Sequence, residues 1–114
     1  EAYKLVYNRG GLFIPAHINR KAFGLIENLG FLPPGIQFPA VEISRHITPQ
    51  QARQEIPSIQ GTPVIQNGDV HRLDEFLGSL YLTLSQPTID EISSALKNEL
   101  GRSFEIRHHF SDIK

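Results

Sequence analysis

The sequence predicts an α/β fold built on parallel strands, either an open sheet or part of a (βα) barrel. Two observations lead there. Short apolar segments recur at 12–16, 40–44, 62–66 and 79–85, and the stretches between them carry helical periodicity or helix caps, with Gly or Pro at most boundaries. Strands that alternate with helices pair in parallel through right-handed crossovers. The 114 residues contain no linker, internal repeat or low-complexity run, so 1–114 reads as a portion of a single domain.

Tyr3, Val6 and Tyr7 share one side of a 3.6-residue period that ends at Gly10-Gly11, as expected for an amphipathic helix with a glycine cap. Residues 12–16 form the first expected strand. Asn19 is placed to cap a helix whose apolar face is Phe23, Ile26 and Leu29 and whose end is Gly30. After the turn at Pro33-Pro34-Gly35, the second strand is expected over 40–44. Thr48-Pro49 supplies an N-cap and first-turn proline for a helix running to about Pro57. A third strand over 62–66 precedes a short helix over 72–77 and its stop, Gly78. A fourth strand covers 79–85. Thr88 and Glu91 form a capping box opening a long helix, with Ile89, Ile92, Leu96 and Leu100 on the buried stripe and Gly101 as cap, before a fifth strand at 104–106.

Composition removes several functions. Eleven Lys and Arg against twelve Asp and Glu give a net charge of −1, so the cationic field that nucleic-acid binding uses is absent. No cysteine is present, which excludes disulfides, thiolate catalysis, iron–sulfur clusters and cysteine-type zinc fingers. The longest apolar runs fall well short of the roughly 18 residues of a membrane span, and no signal peptide is visible, so a cytoplasmic location is expected. No Gly-rich phosphate loop precedes a Lys-Ser/Thr pair, and Ser44 lacks nucleophile-elbow glycines. The first residues read as the middle of a helix without a cap, so the chain is expected to be a piece of a longer one.

Parallel α/β folds carry function at the C-terminal ends of their strands, where loops converge on one rim. His17 follows the first strand, Ser44-Arg45-His46 the second, and Asn67-Gly68-Asp69-Val70-His71 the third. In an extended segment Asp69 and His71 would project from the same side, giving a carboxylate and an imidazole suited to zinc, manganese or iron. The alternative is an Asp that caps the 72–77 helix, with an exposed His beside it. His17 reads either as a half-buried structural histidine or as a third ligand facing the same metal. His46 has solvated neighbours and is the weaker candidate. His108-His109 lies off the rim and is expected to take no catalytic part.

The stretch from Gly10 to Arg20 (GGLFIPAHINR), then Leu29-Gly30-Phe31, Ala40-Val41-Glu42-Ile43-Ser44, and Gly68-Asp69-Val70-His71-Arg72-Leu73 before Phe76-Leu77-Gly78 resemble the C-terminal half of the PHP (polymerase and histidinol phosphatase) domain. The resemblance follows the family's order along almost the whole chain. It implies a distorted (βα)7 barrel with two or three divalent ions at its strand ends, hydrolysing phosphate esters by metal-activated water. His17 then corresponds to the third metal motif and Asp69 and His71 to the fourth, with Asp69 and His17 on the inner pair of ions and His71 on the outer one. Gly68 and Val70 replace the Ser and Ala common beside those ligands. Arg20, Arg45 and Arg72 are candidates for binding the substrate, a small phosphate ester. The family's N-terminal HxH motif and mid-domain ligands have no counterpart in these 114 residues. The chain is therefore expected to be incomplete alone, with the N-terminal half of the domain or a second copy as partner. Two readings of another class are a non-catalytic α/β remnant or regulatory module keeping a weak metal site, and an unrelated α/β binding domain using the rim for a small ligand.

Overall fold

The computed structural model describes residues 2–19 and 35–107. These form a small α/β domain whose elements run α1 (Ala2–Asn8), β1 (Val41–Ile43), α2 (Pro49–Glu55), β2 (Val64–Gln66), β3 (Leu80–Thr83), α3 (Ile89–Leu96) and β4 (Ser103–Ile106). Single 3-10 turns lie at Pro57–Ile59 and Leu73–Glu75. The helix expected between Asn19 and Gly30, together with Arg20 and His108-His109, lies outside the described residues.

The parallel pairing expected of the second and third strands is present: β1 and β2 pair in register Val41↔Val64, Glu42↔Ile65, Ile43↔Gln66. Residues 12–16 do not form a regular strand. The segment is instead pinned to the other edge of β1, where the Glu42 N–H donates to the Pro15 carbonyl and the Ile18 N–H to the Glu42 carbonyl, each at 2.9 Å. A regular parallel ladder takes such bonds from residues two apart, whereas these are three apart, leaving a one-residue bulge at Ala16–His17. Pro15 has no N–H to continue the ladder, and His17 has φ 30°, outside strand geometry.

The sheet separates two apolar clusters. Val41, Ile43 and Val64 pack with Ile18, Ile47, Ala52, Ile56 and Ile59 on the α2 side. Ala40 and Ile65 pack with Leu96 on the other, joined by Leu12, Ile14, Leu80, Ile92 and Phe104. Helix α2 starts as its sequence dictates: Thr48 Oγ1 accepts the Gln51 N–H at 3.1 Å and Gln51 Oε1 accepts the Thr48 N–H at 2.9 Å. Gly10, at φ 80°, ends α1 as expected; of that helix's expected apolar side, Tyr3 and Val6 are half-buried while Tyr7 is exposed.

Three expectations need correction. The strands are not all parallel, because β3 and β4 pair antiparallel, Leu80↔Ile106 to Thr83↔Ser103, and the described residues form two two-stranded sheets with no closed barrel among them. An ion-pair knot accompanies this pairing. Arg102 donates from Nε to Glu91 Oε1 and from Nη2 to Glu91 Oε2, both at 2.9 Å, and from Nη2 to Ser85 Oγ at 2.7 Å. The end of β3, the start of α3 and the start of β4 are thereby tied at one point, so the chain re-enters the sheet where it left. Second, α3 is shorter than its periodicity suggests: it stops at Leu96, and Leu100 is exposed with φ 57°. Glu91 also leaves half of the expected capping box unmade, since its carboxylate serves Arg102 and the Ser85 N–H while Thr88 Oγ1 still accepts the Glu91 N–H. Third, the helix expected over 72–77 is only one 3-10 turn. Among the described residues, no helix is long and apolar enough to cross a membrane.

The Arg102 side-chain hydrogen bonds, with the Ser85 N–H adding, bring the Glu91 carboxyl down to about 2 from 4.5. A carboxyl depressed on folding stabilises the fold fully above its unfolded value and loses that contribution as pH falls through the folded one. Thermal melts between pH 7 and pH 2 are therefore expected to lose stability mainly below pH 4.5, and Glu91→Gln to flatten the curve in that window while lowering Tm by a few degrees at pH 7.

Candidate functional site

A cleft opens at the C-terminal edge of the parallel pair, its lining made of the polar residues His17, Glu42, Asn67 and Asp69 together with Ala16, Val70, Phe76, Leu77, Gly68 and Gly78. His17 reaches it from the bulge, Glu42 from the middle of β1, and Asn67 and Asp69 from the loop leaving β2. Glu42 shares the sheet face of its register partner Ile65, and strand alternation puts Asn67 on that face too.

Glu42 organises the polar residues. Its Oε1 accepts the backbone N–H of His17 at 3.1 Å and its Oε2 accepts Asn67 Nδ2 at 2.8 Å. The His17 ring lies alongside, Nδ1 being 3.9 Å from Oε1. Beyond the cleft, Asn19 Oδ1 accepts the Ser44 N–H and its Nδ2 donates to Ser44 Oγ, so its side chain holds the end of β1.

Of the residues singled out in the sequence, His17 and Asp69 line this cleft and His71 does not. The expectation that Asp69 and His71 project together assumed an extended segment. Asp69 instead adopts φ 53°, and the turn brings His71 Nδ1 to 2.9 Å from the Asp69 carbonyl oxygen and 3.9 Å from its carboxylate Oδ1, so the two groups are neighbours although the His71 ring is three-quarters exposed and lies outside the cleft. Glu75 holds the turn in that shape. Its Oε1 accepts the N–H groups of His71 at 2.7 Å and Arg72 at 2.9 Å. The His71 N–H foremost, then the Arg72 N–H and guanidinium, hold the Glu75 carboxyl below the usual carboxylate range. The expected 72–77 helix goes no further than one turn because Phe76 is already extended, at φ −64° and ψ 122°.

The two arginine candidates among the described residues do not line the cleft. Arg72 Nε lies 3.6 Å from Glu75 Oε2 and 3.8 Å from Asp74 Oδ1 on an exposed loop. Arg45 and the exposed His46 lie in the loop after β1, and neither lines the cleft. Glu42 and Asn67 were not singled out from the sequence. The available signal was a carboxylate at the centre of an apolar strand, a position parallel sheets normally bury.

An imidazole and two carboxylates suit zinc, manganese or iron in donor chemistry. Among the described residues, however, no three such side chains are grouped closely enough to hold an ion. Any ion here would take His17 and Asp69 from the described residues and the rest of its shell from other donors.

Gly68 admits the return of the loop, since a Cβ there would stand 2.6 Å from the Glu75 carbonyl oxygen and 3.3 Å from Leu77 Cβ. Gly68→Ala is expected to destabilise the fold by about 1–3 kcal/mol in urea unfolding, the usual range for overpacking. Gly61→Ala, where a Cβ meets nothing within 4 Å, should stay within about 0.5 kcal/mol of the parent.

Compared with protein-family models, with curated proteins and with solved structures, the chain matches none.

Proposed function

We propose that this chain is part of a metal-dependent phosphoesterase of the PHP type, contributing the C-terminal portion of a distorted (βα)7 barrel. The observation that most supports the reading is that His17 and Asp69, more than fifty positions apart in sequence, line one cleft at the C-terminal edge of a parallel strand pair. A divalent ion bound there would lower the pKa of a water and offset charge on the phosphoryl oxygens. His17 and Asp69 are the residues that would hold it, and Val70, Phe76 and Leu77 offer an apolar wall to the organic part of a small phosphate ester. A cytoplasmic setting belongs to the same proposal, as does a partner, either a second copy or the remainder of the barrel, that completes the site. The competing reading, a non-catalytic module with a weak metal site, draws on His71, whose ring folds onto the Asp69 carbonyl instead of lining the cleft.

The test is a Mn²⁺ titration of the 114-residue chain followed by NMR line broadening. One weakly held ion is expected to broaden His17 and Asp69 first. Asp69→Ala and His17→Ala should each weaken binding at least tenfold, and His46→Ala should leave it unchanged. In the natural full chain, Asp69→Ala should abolish hydrolysis of p-nitrophenyl phosphate while the melting curve stays near that of the parent. Binding that ignores both Asp69 and His17 would overturn the proposal.

A further inference from the structure

Glu42 holds His17 from three directions. Its N–H binds the Pro15 carbonyl before the bulge, its C=O binds the Ile18 N–H after it, and its Oε1 binds the His17 N–H between them. The bulge needs this support because His17 sits at φ 30°, which a residue with a Cβ adopts only when its surroundings impose it. The second carboxylate oxygen fixes Asn67, the residue from which the loop to Asp69 departs. One side chain therefore sets the relative position of the two segments that carry His17 and Asp69. It is mostly buried, with about a fifth of its surface exposed.

We propose that Glu42 is a positioning residue of the cleft, its carboxylate fixing the His17 bulge and the Asn67 loop from behind without itself binding the ion. This rests on the metal-site reading above for its consequence, though not for its geometry. Both carboxylate oxygens already accept hydrogen bonds from the two segments, and the orientation that satisfies them fixes His17 and the start of the loop that carries Asp69, both of which line the cleft. Outer carboxylates of this kind orient the groups that bind a metal, and their loss typically weakens affinity by about 10–100-fold.

Two variants of the 114-residue chain separate the possibilities. Glu42→Gln keeps a carbonyl acceptor for the His17 N–H, and its amide group can donate to Asn67 once the Asn67 amide flips; Glu42→Ala keeps neither. Without metal, amide exchange at His17 should rise at least about tenfold in Glu42→Ala, as expected when a hydrogen-bonded amide is released, and stay near the parent in Glu42→Gln. With Mn²⁺ alone as the probe, Glu42→Ala should lose about tenfold or more in affinity and Glu42→Gln less than about threefold. Equal loss in both variants would make Glu42 a metal ligand and overturn the proposal. So would unchanged His17 exchange and Mn²⁺ affinity in Glu42→Ala, or a lower melting temperature in that variant with the affinity of the folded protein intact. If the parent chain binds no Mn²⁺, the metal reading fails, and exchange at His17 alone decides whether Glu42 positions the bulge.

Discussion

Strand β1 has chain hydrogen-bonded along both edges, and this double pairing is the constraint from which the rest of the described structure follows. On one edge Glu42 exchanges bonds with Pro15 and Ile18; on the other, the Val41 N–H binds the Pro63 carbonyl and the Ile43 carbonyl receives the Asn67 N–H. Three segments distant in sequence are thereby brought side by side and end at one rim. The strand is only three residues long, so its faces divide sharply. Val41 and Ile43 go into the cluster beneath α2, and Glu42 alone is left on the opposite face to meet His17 and Asn67. The cost of a carboxylate in that place is offset by the charge-assisted bonds it accepts.

Elements whose signals are local were legible in the sequence. Helix α2 begins where Thr48, Pro49 and Gln51 require, and α1 ends at its glycine. The strands at 41–43 and 64–66 were legible from short apolar runs between turn residues. What the sequence did not disclose depended on contacts between distant residues. Periodicity carries α3 to Leu100, but the chain leaves the helix after Leu96, with Asn98 and Leu100 at φ 56° and 57°, and Arg102 beyond the turn bonds back to Glu91 and Ser85. The chain then runs back along β3, so β3 and β4 pair antiparallel. Residues 12–16 have strand composition, yet Pro15 and the bulge at His17 leave them one backbone bond with β1, through the Pro15 carbonyl, with Ile18 making the next.

The cleft divides in the same way. His17 and Asp69 could be placed near each other because a parallel sheet brings successive strand ends to one side. His71 could not, because its direction depends on a left-handed residue at Asp69 and on Glu75 four positions later, neither of which follows from a two-residue spacing. Glu42 and Asn67 went unnoticed for a related reason. Each carries ordinary strand or loop chemistry alone, and their significance lies in a bond across 25 residues of sequence. The result is a pocket whose lining combines carboxylates, an imidazole and an amide with aliphatic and aromatic groups.

The Arg102 knot has a consequence for how this fold can diversify. Because Arg102 is fastened to Ser85 and Glu91, the exposed turn between α3 and Arg102 can change length without moving the strands. Such a closed excursion is a natural place to accept inserted sequence, since lengthening a loop whose ends are already held together adds little entropic penalty. The tolerant part is the exposed turn that follows α3 and not the helix, whose Ala95 and Leu96 are buried; a reporter peptide grafted between Lys97 and Glu99 would ride on the molecule without disturbing the strands that build the cleft.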